Sequence, residues 1–231
     1  MIERSLLVIS RTPLPKEVGA NLVPPLTHEE AAEFHASLLY DIVERAALQL
    51  HLQPYVYFDP ADARPDFEHI FRHAGFEYKL KPAIGGKLSI KIANAVENIF
   101  SDGVKKLVYL DLDAALMSSE AIKQVYELMS LDDDVVVLAP DYVDQLCLVG
   151  LKKPHTQIFD ALNAKDQFEV AMKISSPLST MMFTLDRIHC IRDMSGLRKL
   201  YKAFVENGQV IEHAHRTTGF LNGLKGKYGS L

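Results

Sequence analysis

The sequence predicts an α/β fold: a three-layer sandwich in which a mainly parallel sheet lies between helices. Two observations carry this. Short continuous apolar runs at residues 6–9, 55–58, 107–110 and 135–139 have the length and composition of strands buried in a sheet. Between them lie segments with apolar residues three and four apart, the period of a helix with one buried face. Strand and helix alternate at least four times, which argues for parallel strands joined by helical crossovers.

Each element has a local reason. Leu6, Leu7, Val8 and Ile9 form the first strand. It ends at Ser10-Arg11 and gives way to a loop with Pro13, Pro15, Pro24 and Pro25, where missing amide donors forbid a helix. Thr27 and Glu30 have the spacing of a capping box. Phe34, Leu38, Leu39, Ile42, Val43, Ala46 and Leu50 then give one apolar stripe. The strand at 55–58 stops at Asp59-Pro60, and Phe67, Ile70, Phe71 and Ala74 predict a short helix ended by Gly75. Residues 76–81 alternate apolar and charged, as in a half-exposed strand, before Gly85-Gly86 breaks the chain. A helix through Leu88, Ile92, Val96 and Ile99 follows, then the strand at 107–110 with Asp111-Leu112-Asp113. Ser118 or Ser119 caps the next helix, residues 135–140 and 146–149 predict strands, and residues 158–174 predict a helix. One strand is expected within 181–191, and Ser195 is expected to cap a last helix through Phe204. The whole chain, 1–231, reads as one domain with a core of about 5–206. The glycine-rich end, 217–231 within a 207–231 extension, is expected to be loosely held.

Composition excludes several classes. Of 231 residues, 48% are hydrophobic and 24% charged, the profile of a globular protein and not of a disordered or collagen-like chain. A formal net charge of −5 leaves no basic field for nucleic acid. Two cysteines, Cys147 and Cys190, are too few for a disulfide framework or a four-thiolate zinc site, and a reducing compartment is the simple expectation. No apolar run reaches the roughly 20 residues of a membrane helix, and no leader-like cleavage site follows Met1. A cytoplasmic protein is expected; oligomeric state is not legible.

Ligands of open α/β sheets bind beyond the carboxyl ends of the strands. Three such ends carry chemistry: Arg11 with Lys16, Asp111 with Asp113, and Asp141 with Asp144 nearby. Hard oxygen ligands on neighbouring strand ends suit Mg²⁺ or Mn²⁺ held together with substrate phosphates. Acidic residues also cap turns there, so the Asp-x-Asp element alone is weak. Lys79, Lys81, Lys87 and Lys91 form a basic cluster; Lys87 and Lys91, beside the glycine break, could hold phosphate oxygens, though single lysines are more often solvated. His69 and His73, four apart, and His213 and His215, in a strand-like stretch, read as exposed faces more readily than as metal ligands. Both cysteines default to buried thiols.

The run from Arg11 through Pro13, Pro15, Leu22, Pro24 and Leu26 resembles the opening signature R-x-P-x-P-G-x-x-K-T-R-L-x-P-x-L of an uncharacterised bacterial glycosyltransferase-A-like family. Its wider relatives are the molybdenum-cofactor and phospholactate guanylyltransferases. Gly86-Lys87-Leu88-Ser89-Ile90-Lys91 is similar to the family's G-D-L-G-x-R, with Lys91 in the arginine's place. Asp113 matches the aspartate of its Asp-Ser-Pro, and residues 143–151 lie where it has D-G-G-Y-x-L-x-G-L. The resemblance covers about residues 6–200 and implies a Rossmann-like nucleotide-diphospho-sugar transferase (GT-A) sheet. It also implies a nucleotide or nucleotide-sugar ligand, phosphate contacts from Arg11, Lys16, Lys87 and Lys91, and Mg²⁺ or Mn²⁺ on Asp111, Asp113 and Asp144. The site is partly degenerate. The signature's Gly, Lys, Thr and Arg are Lys16, Gly19, Ala20 and Asn21 here, which removes two charge-assisted phosphate contacts. Val143 stands at the acid of D-G-G-Y, and Asp144 and Gln145 replace its glycines.

Three readings stay open: a metal-dependent glycosyl or nucleotidyl transferase, a catalytically silent relative that binds a ligand or protein, and a different enzyme using a base such as His28 or His155.

Overall fold

The computed structural model describes residues 3–208 and 213–228. Its central strand is β1 (Arg4–Arg11), with Leu6, Leu7 and Val8 buried. The proline-rich loop that follows contains a single 3₁₀ turn at Ala20–Leu22 and leads into α1 (His28–Leu48). The capping box forms as its spacing predicts: the Glu30 amide donates to Thr27 Oγ1 (3.2 Å) and the Thr27 amide to Glu30 Oε2 (2.8 Å). Then come β2 (Gln53–Asp59), α2 (Arg64–Ile70), β3 (Lys79–Pro82), α3 (Leu88–Ser101) and β4 (Lys106–Leu110). After a 3₁₀ turn at Leu112–Ala114 follow α4 (Ser119–Leu128), capped by Ser118, and the pair β5 (Val135–Pro140) and β6 (Leu146–Leu151). The chain closes with a 3₁₀ stretch at Thr156–Asn163, α5 (Gln167–Ser175), β7 (Met181–Thr184), α6 (Met194–Tyr201), a π turn at Lys202–Glu206, and α7 (His215–Tyr228).

These strands form one seven-stranded sheet in the order β3-β2-β1-β4-β6-β5-β7. Every pairing is parallel except those of β6, which runs antiparallel to both β4 and β5. Alternation along each strand feeds two cores. Leu6, Val8, Val56, Phe58, Val108 and Leu110 face α1, α4, α6 and α7, while Leu7, Tyr55, Tyr57, Leu107 and Tyr109 face α3, α5 and the 3₁₀ stretch. The three-layer, mainly parallel sandwich is therefore present. No helix among the described residues is long and apolar enough to cross a membrane.

Five expectations change. The strand expected at 76–81 starts only at Lys79, because Phe76 and Tyr78 leave the sheet edge to join Tyr40 and Phe71 in an aromatic cluster with centroids 4.7–6.4 Å apart. The helix expected over 158–174 is broken between Asn163 and Gln167 into a 3₁₀ part and α5. Asp193, not Ser195, caps α6, its Oδ1 accepting from the Gly196 amide at 2.9 Å. The strand-like reading around His213 and His215 falls partly on 209–212, outside the described residues; His213 lies in a turn at φ 54° and His215 opens α7.

The fifth correction concerns the carboxyl-terminal segment, whose described part, residues 215–228, is docked rather than loose; residues 229–231 lie outside the described residues. Thr217, Phe220, Leu221 and Leu224 are buried against α1, with the Phe220 ring 5.4 Å from that of Phe34. The buried Asp41 carboxylate caps α7, accepting from the amides of Thr217 (2.7 Å) and Arg216 (3.2 Å), while the Arg216 guanidinium lies over the Tyr40 ring. Three helical glycines dilute the apolar period and hide it in the sequence. Leu221→Ala is expected to cost about 2–5 kcal/mol in urea denaturation, and Asp41→Ala about 1–2 kcal/mol. Loose attachment would give less than about 0.5 kcal/mol for either.

Candidate functional site

The sheet order reverses at β1: the chain steps outward to β2 and β3, then returns to place β4 on the other side. Beyond the carboxyl ends of strands at such a switch point the crossovers diverge and leave a crevice. A cleft of about 600 Å³ opens there, within the range of small-molecule sites. Its walls come from the ends of β1, β2 and β4, the proline-rich loop, α1 and the start of α3.

One wall is cationic. Arg11 ends β1 and is exposed, and Lys91 enters from the first turn of α3. The Lys91 ammonium is held by Asp59, at the end of β2, with Nζ 2.6 Å from Oδ2. Gly19, on the proline-rich loop, is a glycine for two reasons: its φ is +65°, and an added Cβ would stand 2.9 Å from the Ala31 Cβ. The loop can thus lie directly on α1 and form part of the lining. Lys16 and Lys87 do not line the cleft themselves, although Glu17, Gly86 and Leu88 beside them do. Lys79 and Lys81 are elsewhere, both paired with Asp102.

The opposite wall is acidic. Asp111 follows β4 and caps its own turn, Oδ1 accepting from the Asp113 amide at 3.1 Å. Its other oxygen and that of Asp113 face the guanidinium of Arg192, at 3.3 and 3.4 Å. The third partner of Arg192 is Asp141, at the end of β5, with Nε 2.7 Å from Oδ2. The remaining Asp141 oxygen accepts from the amides of Val143 and Gln145. Asp144, expected beside Asp111 and Asp113, is not in this cluster. It stands on an exposed turn at φ 62°, paired with Arg187 at 2.7 Å, and Asp141 takes its place. Behind the cluster the buried Arg45 of α1 donates to the Ala115 carbonyl (2.6 Å) and pins the turn that carries Asp113.

Three carboxylates around one guanidinium leave an excess of negative charge. Burial, reinforced by the neighbouring Asp111 charge, pushes the Asp113 carboxyl up to about 7 despite Arg192. Hard oxygen donors with unbalanced charge suit a divalent cation, so Asp111 and Asp113 fit Mg²⁺ or Mn²⁺, with Arg192 the group such an ion must displace or share them with.

Sequence reasoning missed Arg192, His35 and Asp59. Arg192 and His35 lie in no strand-end pattern, and Asp59 looked like a turn residue before Pro60. Of the histidines that were considered, His69 and His73 are exposed, as anticipated. His155 pairs with Asp134, and His28 is not among the cleft residues.

His35 lines the cleft from α1, with Nε2 3.0 Å from Ser10 Oγ. The Ser10 hydroxyl donates to the Arg11 carbonyl (2.8 Å), so it accepts from Nε2–H and leaves Nδ1 unprotonated. Burial lowers the imidazole to about 4. In the unfolded chain it titrates near 6.5, so between about 6.5 and 4 the unfolded state binds a proton that the folded state does not. Stability should therefore fall as pH drops through that window, and His35→Gln should flatten the slope. An NMR titration should find the ring neutral at pH 5.5; a midpoint near 6.5 would remove the effect.

No protein-family model and no curated protein matches this chain. Solved structures match it in shape. A protein from Desulfovibrio desulfuricans, named as a nucleotide-diphospho-sugar transferase, superposes with a TM-score of 0.80 at 16% identity, over 96% of this chain and 98% of that one. A cytidylyltransferase from Leptospira borgpetersenii gives 0.58 at 10% identity, over 99% and 96%. The 4-diphosphocytidyl-2C-methyl-D-erythritol synthase from Anaerococcus prevotii gives 0.58 at 8% identity, over 88% and 98%. At such identities the likeness is one of architecture: this chain has the nucleotide-diphospho-sugar transferase fold.

Proposed function

We propose that the cleft binds a nucleoside triphosphate or nucleotide sugar and that the protein is a nucleotidyl or glycosyl transferase. One observation carries the reading: at the switch point of the sheet, Arg11 and Lys91 line the same cleft as Asp111 and Asp113. Phosphate oxygens need cationic donors, and a diphosphate bound beside carboxylates needs a cation between them. Arg11 offers a planar fork to phosphate and Lys91 a point charge whose position Asp59 sets. Asp111 and Asp113 would hold Mg²⁺ or Mn²⁺, which when bound supplies Lewis-acid neutralisation of phosphate charge. Lys16 and Lys87, next in sequence to lining residues, would add positive charge nearby. Nearby proteins of this fold carry names that specify cytidylyl and nucleotide-sugar transfer, which supports the ligand class.

One observation favours a second reading, a binding protein without turnover. Arg192 already neutralises part of the acidic wall. A guanidinium fixed there would make metal unnecessary and leave a cleft that binds phosphates without activating them.

Calorimetry with a panel of nucleoside triphosphates and nucleotide sugars, with and without Mn²⁺, separates the two. The transferase reading expects Mn²⁺-dependent binding that Asp113→Ala abolishes with little change in Tm. The silent reading expects binding that is indifferent to metal. Lys91→Ala should weaken binding about 10- to 100-fold, the worth of one charge-assisted contact. Absence of binding by every ligand at millimolar concentration would sink the transferase reading and the nucleotide-binding form of the silent one, leaving a silent relative that binds a protein.

A further inference from the structure

The two cysteines, 43 residues apart in sequence, meet in space: Cys147 Sγ lies 2.9 Å from Cys190 Sγ. That is well inside the separation of two sulfur atoms that merely pack. Cys147 is buried on β6, and Cys190 is half-buried in the segment between β7 and α6, where it lines a second cleft of about 950 Å³. The backbone around Cys190 is fixed on both sides. The Ile188 amide donates to the Pro140 carbonyl and the Ile191 amide to the Asp113 carbonyl, both at 2.9 Å. Gly196 of α6 packs so closely that an added Cβ would stand 2.8 Å from the Cys190 carbonyl oxygen. Two residues further on is Arg192, whose Nη2 lies 3.4 Å from Cys147 Sγ.

We propose that Cys147 and Cys190 form a redox-active dithiol that a hydroperoxide converts to a disulfide, fastening the segment that carries Arg192 to β6. One of the two thiols attacks the peroxide O–O bond as its thiolate to give a sulfenic acid and one water (an alcohol if the peroxide is organic). The other then attacks that sulfur, the S–O bond breaks, and a second water leaves. Two thiols lose two electrons and two protons, and the peroxide takes up both. Closing the bridge needs only a short approach of the sulfurs, because the backbone already holds them side by side. In the disulfide form Arg192 is tethered among Asp111, Asp113 and Asp141, and the dithiol form leaves it freer to swing out.

Asp141 and the two sulfurs also lie within 4.8 Å of one another, a set that could hold a soft metal ion. Arg192 already donates to two of the three, so such an ion would have to compete with a guanidinium for them.

The test uses the full chain, reduced or treated with stoichiometric hydrogen peroxide, then denatured, alkylated with iodoacetamide and weighed intact. The reduced chain should carry two adducts. The oxidised chain should carry none and be two hydrogens lighter, with thiol reduction restoring both. Hydrogen exchange on the same samples should show the Ile188 and Ile191 amides protected at least about 10-fold more in the oxidised form. Cys190→Ala should lose the effect, and the wild-type measurements stand alone should that variant fold poorly. Thiols still alkylated after peroxide, a sulfinic product in place of the bridge, or unchanged exchange in a bridged chain would each overturn the proposal. So would stoichiometric Zn²⁺ binding by the reduced chain that blocks alkylation. Neither readout involves a nucleotide, so this inference and the proposed function fail separately.

Discussion

Parallel pairing of β1 with β2 on one side and β4 on the other is the constraint on which the rest of the molecule depends. Parallel neighbours point their carboxyl ends the same way, so whatever follows each strand accumulates on one edge of the sheet. Here that edge receives Arg11, Asp59, Asp111 and, from β5 beyond the antiparallel β6, Asp141. The crossovers α1 and α3 leave on opposite faces, and the opening between them becomes the cleft. Charge is concentrated there by connectivity before any side chain makes a specific contact.

Within the cleft the electrostatics do not close by themselves. Lys91 has Asp59, but the acidic wall has more carboxylates than Arg192 can match, and Asp113 shows the strain by holding its proton more tightly. A site in this condition favours an added cation or an added proton. Arg192 makes the balance adjustable, because it arrives from a segment outside the parallel core, which the Ile191 and Ile188 amides tie to the Asp113 and Pro140 carbonyls. Metal dependence, silence and redox control are thus all questions about one side chain and the segment beneath it.

Much of this was legible in the sequence. The continuous runs at 6–9, 55–58, 107–110 and 135–139 are buried strands because only a sheet covered on both faces tolerates them. The Thr27–Glu30 box fixed the start of α1 through local hydrogen bonds alone. Arg11, Asp111 and Asp113 could be placed at strand ends and Lys91 at a helix start because such positions are readable in one dimension, and all four line one cleft. Asp144 was preferred to Asp141 for want of register: a tight turn with a positive φ sends Asp144 outward to Arg187, while Asp141 stays inside.

What the sequence determined by itself was the set of elements and the chemistry at the strand ends, since propensity, capping and apolar period act over a few residues. Only the tertiary structure decided which distant groups meet. Arg192 lies 79 residues from Asp113 and 51 from Asp141, Cys190 43 from Cys147, and Thr217 176 from Asp41. None of these pairs has a local signature, because each is made by packing elements whose order in space is set by the topology of the sheet.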